Sequence, residues 1–227
     1  CSSLEHVNIL PLYGYTYDFG PFPALVSPWA GNGNLTVYVE RKGGKLTMVD
    51  KFNILGDVAA GLQYLHGKDI AHGDLTGPNV LIRHDGTACI GDFGLSLMYS
   101  EAMGVSQASL WSSSLHGNYR WMAPERFEER EDGLPVRPSK QSDIYSFGSI
   151  MLLVLTSKSP YHYIPTQLGI MRNIITFSKP VRTRYDPVAD KYWQFIEECW
   201  STNPQHRPLI GRVVQMVRDE LDLLRER

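Results

Sequence analysis

Cysteine, net charge and long apolar runs are all scarce in this chain, and each scarcity removes a class of protein. The three cysteines, Cys1, Cys89 and Cys199, have no metal-ligand spacing and make no even-numbered framework. That excludes a disulfide-built scaffold and reads as reduced thiols in an intracellular, cytoplasmic protein. Cys199 reads as a small core residue rather than a nucleophile. With 22 Lys and Arg against 24 Asp and Glu, the net charge is -2, so no basic excess points to nucleic acid or an anionic membrane. The longest unbroken apolar run, Ile150 to Leu155, falls far short of the roughly 20 residues that cross a bilayer. No secretory signal opens the sequence. Its first residue is Cys1 rather than Met, so a fragment, a processed product or an incomplete gene model is expected.

What remains is a chain of 227 residues, 43% apolar and 20% charged, the profile of a soluble globular unit. One stretch in it is dense in oxygen ligands. In Ala71 to Gly94, A-H-G-D-L-T-G-P-N-V-L-I-R-H-D-G-T-A-C-I-G-D-F-G, Asp74 is followed by Asn79, and Asp92 stands beyond a hairpin signal. That signal is Asp85-Gly86 between the short apolar runs Val80 to Arg83 and Ala88 to Gly91. Magnesium takes hard oxygen ligands, commonly one or two carboxylates together with substrate phosphates. Asp92 and Asn79 suit that task, which leaves Asp74 to accept a proton from an incoming hydroxyl. Taken singly, a short run containing an Asp is more often a turn or a helix cap.

His72-Gly73-Asp74-Leu75-Thr76-Gly77-Pro78-Asn79, Asp92-Phe93-Gly94 and Ala123-Pro124-Glu125 occur in that order, and together they resemble the eukaryotic protein kinases. The ending Cys199-Trp200 to Pro204 and Arg207-Pro208 is similar to that of tyrosine-kinase-like and tyrosine kinases. The resemblance implies an α+β, protein-kinase-like fold: a mainly α-helical C-lobe with a remnant of the β-rich N-lobe. One kinase domain would span 1–227, with 1–30 as the end of the N-lobe and the hinge, 31–227 as the C-lobe, and the N-terminal part of the family's domain missing. It also implies ATP and Mg²⁺ as cofactors and a protein substrate, with no nucleic acid or membrane partner. Asp74 would act on the substrate hydroxyl, and Asn79 and Asp92 would hold the metal. Ser27 falls at the gatekeeper position, Pro28, Trp29 and Ala30 form the hinge, and Leu81 and Thr76 join the nucleotide site. His72 and Phe93 would support the site, Asp143 would hold the catalytic-loop backbone, and Glu125 would pair with Arg207. H-G-D-L-x-x-x-N also resembles small-molecule kinases of the aminoglycoside and choline phosphotransferase type, but those lack the A-P-E segment and the Arg207-Pro208 ending.

Around these motifs the pattern is legible. His6 to Gly14 and Ala24 to Leu35 resemble the last two strands of the small lobe and the hinge; an ordinary buried strand running into a Gly-Asn turn is the plainer reading. From Thr47, Leu55, Val58, Ala59, Leu62 and Leu65 repeat at helical offsets, with Thr47 and Asp50 as a capping box and Gly67 as the end. His66 reads as a packed or capping residue. Leu95 to Tyr119 is a serine-rich loop in the position of the activation segment. Ser109, Ser112, Ser113 and Ser114 are either phosphorylation sites or part of a solvated loop. The segment Arg126 to Lys140 reads as a solvated surface loop. Ser142 to Leu155 is apolar nearly all round, a buried helix, and Asp143 at its start is read as its N-cap, as the holder of the catalytic loop, or both. The final amphipathic helix carries Ile210, Val213, Val214, Val217, Leu221 and Leu224, with Pro208 near its first turn.

Four departures from the family pattern bear on activity. Gly73 replaces the arginine before the catalytic Asp, so switching by a phosphorylated loop is not expected. Thr76 replaces a lysine that reaches the transferring phosphate in serine/threonine kinases, and Asn118 stands where a threonine is usual. The strand lysine and the glycine-rich loop are not found in these residues. A protein kinase acting on Ser or Thr is one reading, with weak or no activity expected of these residues by themselves. A pseudokinase or truncated kinase-like module that works by protein binding is the other.

Overall fold

The computed structural model describes residues 4–18, 20, 24–92, 119–128 and 136–226. Among them are two small antiparallel sheets and six α-helices, as expected for a helical lobe with a reduced β portion. The strands β1 (Gly14–Thr16) and β2 (Ala24–Val26) pair with Tyr15 opposite Leu25. The helices α1 (Leu35–Lys42) and α2 (Met48–Gly67) follow. Then β3 (Val80–Ile82) pairs with β4 (Ala88–Ile90), Leu81 opposite Cys89. The last four helices are α3 (Lys140–Thr156), α4 (Gln167–Ile175), α5 (Asp190–Cys199) and α6 (Ile210–Arg225).

The first strand lies later than expected. Residues 6–13 of the expected strand are not in one: Leu10 N–H donates to the Ile90 carbonyl at 2.8 Å and Ile90 N–H to the Asn8 carbonyl at 2.9 Å, docking the segment beside β4. Pro11 then interrupts with no N–H to give. Pairing resumes at Gly14. Ile9, buried to 1%, belongs to the main core.

Helix α2 starts on the predicted capping box, with Asp50 N–H donating to Thr47 Oγ1 at 3.1 Å and Thr47 N–H to Asp50 Oδ2 at 2.8 Å. Such a box stabilises a helix start by about 1 kcal/mol. Buried Phe52, Leu55, Val58, Leu62 and Leu65 set it against α6, α3 and β4. Helix α3 is buried from Ser142 to Thr156, as an apolar-all-round helix must be. Its N-cap is Ser139, in a box with Ser142, not Asp143. Gly148 lets α3 meet α5 closely, because a Cβ there would lie 2.7 Å from Cys199 Cβ. Cys199 is a buried core thiol, its pKa pushed up chiefly by burial, which leaves it inert as a nucleophile. On α6, buried Glu220 accepts from Lys191 Nζ and from Tyr192 Oη at 2.6 Å, tying α6 to α5. Pro208 lies before the N-cap Leu209, outside the first turn. Among the described residues no helix is long and apolar enough to cross a membrane.

Asp57 on α2 gives a test of this packing. Its carboxylate accepts Ala88 N–H at 2.9 Å, and burial raises its pKa above the ordinary 3.8, with the bonds to Ala88 and Asn8 acting against that shift. A carboxyl with a raised folded pKa contributes fully below its unfolded value and loses that contribution as pH rises through the folded one. Asp57→Asn keeps an acceptor for Ala88 and removes the charge. Its urea midpoint relative to the parent is therefore expected to move in the variant's favour as pH rises from about 4 to 7. A difference independent of pH would contradict the assignment.

Candidate active site

The loop from His72 to Asn79 owes its shape to a carboxylate behind it. Asp143, 1% exposed, accepts His72 N–H at 2.8 Å and Gly73 N–H at 2.9 Å, and His66 Nε2 lies 2.9 Å from the same carboxylate. Three donors compensate the cost of burying this charge. Asp143 is free for the task because Ser139 caps α3. His66, read from sequence as a packed or capping residue, is a ligand of this carboxylate.

His72 is buried, and burial holds its pKa below the ordinary value, although the nearby Asp143 charge acts the other way. Its Nε2 lies 3.0 Å from the Gly91 carbonyl and its Nδ1 3.2 Å from Asp74 N. A carbonyl only accepts, so Nε2 carries the proton and Nδ1 accepts from Asp74 N–H: one neutral tautomer satisfies both. Asp74 is thereby fixed from its own backbone. Asn79 completes the loop, donating from Nδ2 to the Asp74 carbonyl at 2.8 Å and to Asp74 Oδ2 at 2.9 Å. Thr76 is buried and its Oγ1 accepts Asn79 N–H at 3.2 Å.

Gly91 N–H donates to the Asn79 carbonyl at 2.8 Å, so Asp92 follows directly on a residue bonded to Asn79. Asp92 is exposed and has a φ of 56°, a left-handed conformation that Asp tolerates better than most residues but that still costs energy. The donor set fits a hard cation: an exposed carboxylate and an amide Oδ1 whose own Nδ2 is turned to Asp74. Among the described residues no group of three or more His, Cys, Asp and Glu gathers as a metal cluster, and a magnesium site sharing its shell with phosphates does not require one. Phe93, Asn118 and the activation-segment serines lie outside the described residues.

The predicted hinge is tied to the same hairpin. Asn32 N–H donates to the Ile82 carbonyl at 3.1 Å and Ile82 N–H to Gly33 at 2.8 Å, while Gly33 N–H turns back to Ala30 at 3.0 Å. Half-buried Leu81 is bridged to Asn34, and half-buried Ser27 follows β2. Trp29 is 93% exposed, so its side chain is not packed against this segment. Glu125 and Arg207 stand apart from this group as a support: Arg207 Nη1 and Nη2 donate to Glu125 Oε1 and Oε2 at 2.6 and 2.7 Å.

These features coincide with a known family. The chain matches the family described as protein tyrosine and serine/threonine kinase over residues 1–217. It belongs to that family. Among its curated relatives are the tyrosine-protein kinase SPK-1 of Girardia tigrina, 27% identical over 97% of this chain and 43% of the relative. The Raf homolog serine/threonine-protein kinase of Caenorhabditis elegans is 29% identical over 95% and 26%. The probable serine/threonine-protein kinase roco11 of Dictyostelium discoideum is 31% identical over 94% and 14%. This kinase-family chain therefore spans less than half the length of each.

One residue of the site had no motif to announce it. Arg126, next after A-P-E, is 8% exposed and donates from Nη1 to the Val136 carbonyl. Burial lowers its pKa to about 10, against the carboxylates of Asp143, Glu125 and Asp74, so it stays charged at neutral pH. An Arg in a segment read as a solvated loop gave no sign of burial.

Proposed function

We propose that this chain is the greater part of a protein kinase domain that transfers the γ-phosphate of ATP to Ser or Thr hydroxyls of a protein. Residues 1–30 would end the N-lobe and form the hinge, and 31–227 would form the C-lobe. The observation that carries the reading is the joined pair: Asn79 Nδ2 donating to the Asp74 backbone carbonyl and to Asp74 Oδ2, on a loop held by buried Asp143. Phosphoryl transfer asks a protein mainly for positioning and charge neutralisation. Asp74 would orient and deprotonate the hydroxyl. Asn79 and Asp92 would hold Mg²⁺, which would neutralise phosphate charge when bound. Ser27, Trp29 and Ala30 by their backbone, and Leu81 by its side chain, would border the adenine, with Thr76 at the phosphate side. The lean to Ser and Thr rests on the overall likeness to the tyrosine-kinase-like group and on two relatives named as serine/threonine kinases; the third is named a tyrosine kinase.

A second reading, a kinase-like module acting through protein binding, is favoured by one observation. Gly73 has a φ of 82° and packs on Pro138, in place of the arginine that a phosphorylated loop would engage. Transfer of labelled γ-phosphate from ATP to a Ser/Thr protein substrate, by the full-length protein its gene encodes, separates the two. Activity that Asp92→Ala reduces at least about 100-fold supports the enzyme, since the metal charge is then lost from the phosphates. No transfer above the Asp92→Ala background would leave the binding role.

A further inference from the structure

The two positions near Asp74 at which the family pattern carries a cation hold Gly73 and Thr76 here. At Gly73 a Cβ would lie 2.8 Å from Pro138 Cγ, and the φ of 82° is one that a side chain rarely adopts. At position 76, Thr76 is buried and accepts from Asn79 N–H. A small cavity next to them is lined by Gly73, Asp74, Thr76, Trp121, Arg126 and Asp143, among others. Among the described lining residues Arg126 is the only cation, and it comes from the segment after A-P-E rather than from the loop that carries Asp74. Its Nη1 also donates to the Val136 carbonyl.

We propose that Arg126 is a positioning residue for phosphoryl transfer, supplying to Asp74, from the segment after A-P-E, the positive charge that positions 73 and 76 do not. The inference rests on the kinase reading above. A buried guanidinium that faces carboxylates keeps its charge and acts through a low-dielectric medium, where it is felt more strongly than at a surface. Asp143 and Glu125 share its field with Asp74, so the same charge also steadies the carboxylate that holds the loop.

The alternative is a strut that only fastens residue 136, and relocating the charge distinguishes the two. In the full-length protein, Arg126→Met is expected to lower kcat about 10- to 100-fold while KM for ATP changes less than about threefold. Arg126→Met combined with Thr76→Lys returns a cation by the other route and is expected to recover most of that loss. Arg126→Lys, which keeps the charge without the fork, is expected to stay within about fivefold of the parent. Amide hydrogen exchange at residues 73–76 is read on the same proteins: faster in Arg126→Met and slowed again by Thr76→Lys. A strut predicts a loss that Thr76→Lys does not restore, and that outcome overturns the inference. Should the parent transfer no phosphate, the kinase reading fails. The exchange comparison still decides this one, and unchanged exchange at 73–76 in Arg126→Met overturns it.

Discussion

Asp74→Asn is expected to lower kcat for phosphate transfer by about 10²- to 10⁴-fold, the usual contribution of a positioned general base, with KM for ATP within about threefold of the parent. The substitution keeps the shape and an acceptor oxygen for Asn79 Nδ2, which now bonds the Asp74 carboxylate at 2.9 Å. The loop's backbone is held elsewhere, by Asp143 at His72 and Gly73 and by the His72 ring at Asp74 N–H. On the proposed roles, what is lost is the anionic acceptor for the substrate proton. The fall should therefore lie in kcat, with thermal stability little changed. A variant that kept the full rate would take the proton-acceptor role from Asp74 and leave it a merely structural partner of Asn79.

How far the site was legible depended on the range of the interaction that made it. Thr47 and Asp50 form their capping box within four residues, and Asp85-Gly86 makes its hairpin within a turn; both are decided by local chemistry and read directly. The hairpin returns the chain so that Gly91 bonds Asn79 and Asp92 follows it, while Asp74 and Asn79 are joined within their own loop. Asp143 was open between cap and loop holder, because the choice turned on which residue capped α3. Ser139 took the cap, with Ser142 completing the box, and the Asp143 carboxylate turned to His72 and Gly73. His66 and Arg126 were not legible in their roles. His66 meets Asp143 across 77 positions of chain, and Arg126 lies in a polar run whose burial depends on Val136 and on the cavity beneath the loop. The placement of β1 failed for a related reason: His-Val-Asn-Ile-Leu has a strand's residues, but its partner is β4 at a single bridge between Ile9 and Ile90, and Pro11 ends the run.

Removing the other buried arginine should cost stability more than any single change at the loop. Arg207 has no exposed side-chain surface, and beyond its two bonds to Glu125 it donates from Nε to the Ser201 carbonyl and from Nη1 to the Gln141 carbonyl, both at 2.9 Å. It therefore joins the end of A-P-E, the start of α3 and the chain just after α5 at one guanidinium, which also lies 5.2 Å over the Tyr145 ring. Arg207→Leu would leave a carboxylate and two carbonyls without their donor, and breaking a buried pair from one side costs about 3–5 kcal/mol. For a chain of this size, at about 2–4 °C per kcal/mol, that is a fall in Tm of roughly 6–20 °C. Glu125→Gln should be milder, about 1–3 kcal/mol, because Glu125 is 15% exposed in its side chain and an amide oxygen can still accept from the fork. The two changes share one contact, so their double variant should cost less than the sum. A full loss in Arg207→Leu with no measurable loss in Glu125→Gln would mean that Arg207 acts through Ser201 and Gln141 alone, and that the charge on Glu125 contributes nothing to holding the A-P-E end against α3.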